Sequence, residues 1–147
     1  MGKEIERKFL VKEMPDLDSY TYKCLEQGYL SVNPVVRVRK EDDTYYLTYK
    51  GKGFLEREEY NLPLNKESYE HLIAKADGKI IKKKRYLIPY EKYTIELDIF
   101  EGELAPLVIA EVEFETVEEA NSFTPPSWFG EDVTGNKNYT NASLALN

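Results

Sequence analysis

Cysteine, histidine and long apolar runs are nearly absent from the sequence. Cys24 and His71 are the only residues of their types among 147. A single cysteine allows neither an intrachain disulfide nor a cysteine-based zinc site, and a single histidine argues against a His-rich metal site or a Ser/His/Asp triad. No stretch approaches the roughly 18 apolar residues that a membrane-spanning helix needs. The charged start of the chain lacks a signal-peptide core, so we expect a cytoplasmic protein with no membrane partner.

Basic residues are the minority, since 20 Lys and Arg stand against 27 Asp and Glu and give a net charge of −7. This balance argues against a nucleic-acid partner, because neutralising phosphates needs a net basic surface, but it leaves room for a local basic site. The length fits one domain, residues 1–147. Aromatic residues make up 13% of the chain, which favours strands.

Alternation of apolar and polar residues recurs along the chain and predicts about eight strands, mostly in neighbouring pairs, as in an antiparallel sheet or barrel. Helices are few: one over 65–76 with an Asn cap, a short one opened by Thr116, and a terminal turn or two over 139–146. Trp128-Phe129-Gly130 is expected to be a packed loop. The predicted strands are Glu4–Val11, Tyr20–Leu30, Val35–Lys40, Thr44–Lys50, Phe54–Leu62, Ile80–Ile88, Tyr93–Phe100 and Leu107–Glu115.

Like charges two residues apart occur on nearly every predicted strand, and acids and bases are segregated by strand. Residues at this spacing share one face and lie about 7 Å apart, so they repel one another. The same-face sets are Glu4, Glu6 and Lys8; Arg37 and Arg39; Tyr46, Thr48 and Lys50; Glu56 and Glu58; Lys83 and Arg85; Glu96 and Asp98; and Glu111, Glu113 and Glu115.

Two interpretations of these faces are open. Each alone is typical of the solvated side of a sheet. Together they favour a polyanion bound with a divalent metal, because carboxylates bind hard cations through oxygen and Arg and Lys bind phosphate oxygens. If all the faces point inward, the strands close into a barrel with a charged lumen.

The motifs that carry these charges also occur in a familiar order. The chain resembles the CYTH domains, also called triphosphate tunnel metalloenzymes, over essentially its whole length. The matching segments are the ExExK-like Glu4-Ile5-Glu6-Arg7-Lys8, Gln27-Gly28-Tyr29-Leu30, Arg37-Val38-Arg39, Thr48-Tyr49-Lys50, Lys83-Lys84-Arg85, Glu96-Leu97-Asp98, the stretch Glu111 to Glu115, and a tail from Gly130 to Asn141.

The resemblance implies a mainly β fold with flanking helices (α+β): a closed eight-stranded antiparallel β-barrel with a charged lumen and helices packed outside. It also implies metal-dependent cleavage of a triphosphate, with Mg²⁺ or Mn²⁺ as cofactor. The short chain is similar to compact bacterial members, which favours inorganic tripolyphosphate over nucleoside or thiamine triphosphate as the small-molecule substrate.

Roles for individual residues follow from the strand faces together with the resemblance. Lys8, Glu96 and Asp98 are the candidate catalytic residues; the two acids would assist a second metal or orient the attacking water. Glu56 and Glu58 are ambiguous and would serve as ion-pair partners of the basic side chains. The expected metal ligands are Glu4, Glu6, Glu111 and Glu113, and the expected substrate-binding residues are Lys8, Arg37, Arg39, Lys50, Lys83, Arg85 and Lys137.

Two other functions remain open at this point: an adenylyl cyclase of the class IV type, and a polyphosphate- or nucleotide-binding module without turnover. The cyclase would need an adenine pocket, for which the sequence offers no residues. The binding module would be expected to lack the metal carboxylates, which are present. The oligomeric state is open, a homodimer included.

Overall fold

A computed structural model describes residues 2–53 and 55–146. Phe54, where the fifth strand was expected to begin, lies outside the described residues. No helix in these ranges is long and apolar enough to cross a membrane. The strands are β1 (Gly2–Val11), β2 (Thr21–Val32), β3 (Val35–Glu41), β4 (Thr44–Lys50), β5 (Glu56–Leu64), β6 (Asp77–Tyr90), β7 (Tyr93–Phe100), β8 (Val108–Glu113) and β9 (Phe129–Asp132), and the helices are α1 (Lys66–Ile73), α2 (Val117–Ser122) and α3 (Asn141–Leu146).

Eight antiparallel strands close into a barrel, as the sequence predicts. The strand order is β5-β4-β3-β2-β6-β7-β8-β1, and β1 also pairs with β5. Strand β1 makes both closing contacts, because its residues 2–5 pair with β5 and its residues 6–10 pair with β8. The closed ladder leaves the barrel strands without a free edge over these segments.

The ninth strand corrects the prediction of a loop at Trp128-Phe129-Gly130. Phe129 and Asp132 pair with the end of β1, next to the segment that β5 occupies. The Phe129 ring packs 4.7 Å from the Phe9 ring, and both side chains are buried. Packing on Phe9 therefore holds this segment in an extended conformation, although it is too short to show an alternating pattern.

Helices α1 and α2 cover the outside of the barrel. Asn65 caps α1 and Thr116 caps α2, each accepting a hydrogen bond from the backbone three residues on, as expected. At Gly28 a Cβ atom would lie 2.7 Å from Ala76 Cβ and 2.9 Å from Ile73 Cδ1. The missing side chain thus allows the α1 segment to approach β2 closely.

Helix α3 does not pack outside, which corrects the expectation for the terminal helix. Ala145 is fully buried in a cluster with Tyr29, Ile81, Phe100 and Ile109. These four face the lumen, since Tyr29 alternates in phase with the buried Gln27, and the other three alternate in phase with the inward-facing charged residues of their strands. The helix therefore covers part of one end of the barrel with apolar contacts, beside β2 and β6.

Candidate active site

The charged strand faces point into the barrel. Lys83 and Asp98 are each 1% exposed, and Arg37, Arg39, Arg85, Glu4 and Glu111 are also buried. Their neighbours on the same strands, such as Lys82, remain exposed. The alternation therefore gathers acids and bases into one interior site.

Three adjoining cavities run through this interior. The central chamber, about 120 Å³, shares Glu6, Lys50 and Asn141 with a wide basic vestibule of about 780 Å³. It shares Glu96 and Glu113 with an acidic cleft of about 350 Å³. The charged residues of the vestibule are Glu6, Lys8, Lys50, Lys52, Arg57 and Lys137, and those of the cleft are Lys92, Glu96, Glu113, Glu115 and Glu119.

One group of interior cations is neutralised by carboxylates. Arg85 makes a two-pronged contact with Asp98 at 2.7 and 2.9 Å, and Lys83 Nζ lies 2.7 Å from the same carboxylate. Although burial alone would raise it, these cations hold the pKa of Asp98 well below its usual range. Lys50 Nζ contacts both Glu4 oxygens at 3.0 Å.

Arg37 and Arg39 form a second group without such partners. Their guanidinium groups are held by neutral oxygens: Thr48 Oγ1 at 3.2 Å from Arg37 NH2, and Gln27 Oε1 at 2.7 Å from Arg39 Nε. Within the described part of the chain neither arginine has an ion pair, and Arg37 Nε has no hydrogen-bond partner. Burial, with Arg37 and Arg85 nearby, lowers the pKa of Arg39. Two buried, uncompensated cations side by side are costly, so this wall fits an anionic ligand.

The carboxylates of β1 and β8 meet on the opposite wall. Glu6 lies directly across from Glu113, and Lys8 from Glu111. Burial raises the pKa of Glu6 to about 8, helped by repulsion from Glu111 and Glu4. Burial and Glu4 also raise the pKa of Glu113. Acids that crowd one another in this way are the oxygen donors that a hard divalent cation prefers.

A preformed metal site is nevertheless absent from residues 2–53 and 55–146, in which no three Asp, Glu, His or Cys side chains stand together in a metal-binding group. Two of the expected ligands form ion pairs instead: Lys50 holds Glu4, and Arg85 lies 3.4 Å from Glu111. The donor chemistry fits Mg²⁺ or Mn²⁺, but Glu4 and Glu111 are tied to cations of the same cavity.

The C-terminal segment reaches the same site. Lys8 Nζ donates to the Tyr139 carbonyl at 3.2 Å, and Lys83 Nζ donates to Asn141 Oδ1 at 3.3 Å. Although burial alone would lower it, Glu111 and Glu6 raise the pKa of Lys8, which stays protonated. Lys137 is exposed at the rim of the vestibule, on the same segment.

Comparison with known proteins decides the family. A family model described as the CYTH domain matches residues 2–141. The chain belongs to the CYTH family. It is 40% identical to an inorganic triphosphatase from Nitrosomonas europaea over 97% of both proteins. It is 39% identical to an inorganic triphosphatase from Acetivibrio thermocellus, over 100% of this chain and 96% of that protein. A crystal structure of an inorganic triphosphatase superposes with a TM-score of 0.73 at 38% identity, covering 98% of this chain and 95% of that one.

Strand β5 of this CYTH domain turns its residues the opposite way from the expected one, with the even-numbered acids outward and the odd-numbered residues inward. Glu56 and Glu58 are exposed, so they are not partners of the interior cations; Glu56 instead lies 3.6 Å from Lys3 at the surface. Arg57 and Glu59 are the inward residues, and the sequence analysis missed both. Glu59 lies 3.7 Å from Lys50 Nζ, and burial together with Glu4 raises its pKa.

The two acids of β7 differ in their surroundings. Glu96 lines the chamber and the cleft, 3.5 Å from Arg85. Asp98 lies behind it, with its oxygens bonded to Arg85 and Lys83. The position of Asp98 suits holding these cations in place, whereas Glu96 faces open space. Strand β8 ends at Glu113, so Glu115, predicted as part of the strand, follows it.

Proposed function

We propose that this chain is a metal-dependent hydrolase that cleaves inorganic tripolyphosphate with water into pyrophosphate and orthophosphate inside its barrel. The observation that carries the proposal is the pair of buried arginines, Arg37 and Arg39, which form no ion pair with any carboxylate among the described residues. An anion is the ligand that removes their desolvation cost. The relatives named inorganic triphosphatase, which match nearly the whole chain, support a triphosphate as that anion.

The substrate enters from the basic vestibule. Lys52, Arg57 and Lys137 give this mouth a positive field although the whole chain is negative. The acidic cleft at the other side repels a polyanion. Tripolyphosphate therefore approaches from one side and meets Lys8 and Lys50 before it reaches the arginines of β3.

Interior cations hold the phosphates once they are inside. Arg37 and Arg39 offer free N–H groups to phosphate oxygens. Asp98 keeps Arg85 fixed in the chamber wall and Lys83 fixed behind it. Positioning and neutralisation of the developing charge supply most of the catalysis in phosphoryl transfer. No covalent protein intermediate is needed, because the nucleophile is water.

The carboxylates of the opposite wall, Glu4, Glu6, Glu111 and Glu113, would hold the cation. A bound Mg²⁺ or Mn²⁺ would neutralise phosphate charge and lower the pKa of a water molecule. A cation would stabilise the charged form of Glu6, whose pKa is raised by burial and by repulsion from Glu111 and Glu4. Phosphate that takes over the contact of Lys50 with Glu4 would free this carboxylate as a ligand. Glu96 faces the chamber and would orient the attacking water.

The first test is phosphate release from tripolyphosphate, ATP and thiamine triphosphate with Mg²⁺, Mn²⁺ or EDTA. A matched pair of variants accompanies it: Glu6→Gln inside the barrel and Glu118→Gln on the exposed surface of α2. We expect metal-dependent release, fastest from tripolyphosphate, that is lost in Glu6→Gln and kept in Glu118→Gln.

Other outcomes would contradict the proposal in distinct ways. Cyclic AMP and pyrophosphate from ATP would make the chain a cyclase, and tight binding without turnover would make it a sensor. Equal rates with and without EDTA would exclude the metal. The cytoplasmic location and the homodimer stay predictions from the sequence.

A further inference from the structure

The cross-strand partners of four interior cations fall into two chemical classes. Lys83 stands outside this comparison, because it lies opposite Leu25 and Phe100 and reaches Asp98 from a neighbouring position. Arg85 lies directly opposite Asp98, and Lys50 lies opposite Glu59, so each of these cations faces a carboxylate. The arginines of β3 instead face neutral residues. Arg39 lies opposite Gln27 and Arg37 lies opposite Thr48. Partner identity thus separates neutralised cations from free ones.

The contact between Gln27 and Arg39 has only one possible polarity. Arginine Nε can only donate, so the amide must present Oε1 to it, here at 2.7 Å. The Nε2 group is then turned away and has no hydrogen-bond partner among the described atoms, although Gln27 is 0% exposed. The residue leaves one buried donor unmatched while it holds the arginine.

Thr48 likewise holds Arg37 with a neutral oxygen. Its hydroxyl accepts from Arg37 NH2 and donates to Asn61 Oδ1 at 2.6 Å, which fixes the orientation of the hydroxyl. Arg39 also donates from NH1 to the Tyr46 hydroxyl at 3.4 Å. On both arginines the acceptors are therefore neutral oxygens, which hold the guanidinium group without supplying a negative charge. The remaining guanidinium donors stay available to a ligand.

We propose that Gln27 is a positioning residue: it fixes Arg39 in the anion-binding wall while keeping that arginine unneutralised. A carboxylate at this position would hold the guanidinium equally well but would supply the negative charge that the ligand otherwise provides. The neutral amide is therefore what leaves Arg39 able to bind a phosphate group. This inference rests on the proposed function for the identity of the anion, but not for the presence of one.

Substitution by glutamate tests this directly, because Gln27→Glu changes charge at nearly constant shape. Gln27→Met removes the acceptor and keeps the length. The control Cys24→Asp adds the same charge on the exposed, outward face of the same strand. For each protein, the affinity for tripolyphosphate and for pyrophosphate is measured by calorimetry in EDTA, together with the melting temperature. KM and kcat for tripolyphosphate are measured separately with Mg²⁺ present.

We expect Gln27→Glu to fold with an unchanged or higher melting temperature, and to bind both anions about tenfold to a hundredfold more weakly. Its KM should rise more than its kcat falls, whereas Cys24→Asp should match the wild type. Gln27→Met should lose affinity without gaining stability, since Arg39 then keeps only its 3.4 Å contact with the Tyr46 hydroxyl.

Wild-type anion affinity in Gln27→Glu would overturn the inference, and so would failure of this variant to fold, because the glutamate should accept the same bond from Arg39. A wild type that binds pyrophosphate but does not hydrolyse tripolyphosphate would refute the proposed function alone. The ratio of affinities between Gln27→Glu and the wild type would still decide the role of Gln27.

Discussion

Two interior arginines should have opposite effects on stability when each is replaced by methionine. Arg37→Met removes a buried cation that, within residues 2–53 and 55–146, has no hydrogen-bond partner for Nε and no ion pair with a carboxylate. A buried unsatisfied donor costs about 1–3 kcal/mol, so the free energy of unfolding should rise by about that amount. Arg85→Met instead removes the two-pronged partner of Asp98 and a contact of Glu111. Breaking a buried pair costs about 3–5 kcal/mol, so this variant should be destabilised.

Urea unfolding in an EDTA buffer free of phosphate and sulfate measures both effects, because added anions would bind Arg37 and mask its cost. Tripolyphosphate should then stabilise the wild type more than Arg37→Met, since the variant lacks one cationic guanidinium group. A loss of stability in Arg37→Met similar to that in Arg85→Met would refute the reasoning that the β3 arginines are uncompensated.

Three further predictions concern protons, metal and charge. The folded pKa of Glu6, about 8, exceeds the ordinary 4.5, so its contribution to stability is complete below about pH 4.5 and is lost as pH rises through 8. Urea unfolding of the metal-free protein should show the wild type losing stability relative to Glu6→Gln over this window, by at most about 1.4 kcal/mol per pH unit. A difference in the free energy of unfolding that stays constant with pH would contradict this prediction. At pH 7, Mg²⁺ binding followed by calorimetry in buffers of different ionisation enthalpy should release close to one proton from the wild type and none from Glu6→Gln; equal release would show that another group titrates. Lys137→Glu should lower kcat/KM for tripolyphosphate about threefold to tenfold at low salt and less at high salt. Lys92→Glu in the acidic cleft should not lower it. Equal effects of the two variants would contradict entry of the substrate through the basic vestibule.

The sequence predicted the barrel and most of its interior because its alternation is unambiguous where apolar residues mark one face. On β6, Tyr86 and Ile88 continue the outward phase of Lys84, so Lys83 and Arg85 are placed inside. On β5 the run Arg57-Glu58-Glu59 is charged in either phase. The later Tyr60 and Leu62 mark the outward face, and they would have identified Glu59 as an interior acid.

Other features depend on contacts distant in sequence. Helix α3 spans six residues, and nothing local indicates that Ala145 packs inside the barrel end. Strand β9 is four residues long and is fixed by its contact with Phe9. The division of the cations also escaped prediction, because it depends on which residue lies opposite each one. Register across strands is set by the closed barrel rather than by any single segment.

The most direct test of the central claim compares two neighbouring residues of β3 that face opposite ways. Arg39→Met removes an uncompensated interior cation, and Lys40→Met removes a cation from the outward face. The measurement is the rate of orthophosphate release from tripolyphosphate at saturating Mg²⁺ and substrate well below KM. If the substrate is cleaved inside the barrel, Arg39→Met loses about tenfold or more while Lys40→Met keeps the wild-type rate. Equal rates in both variants would show that the interior arginines do not bind the substrate.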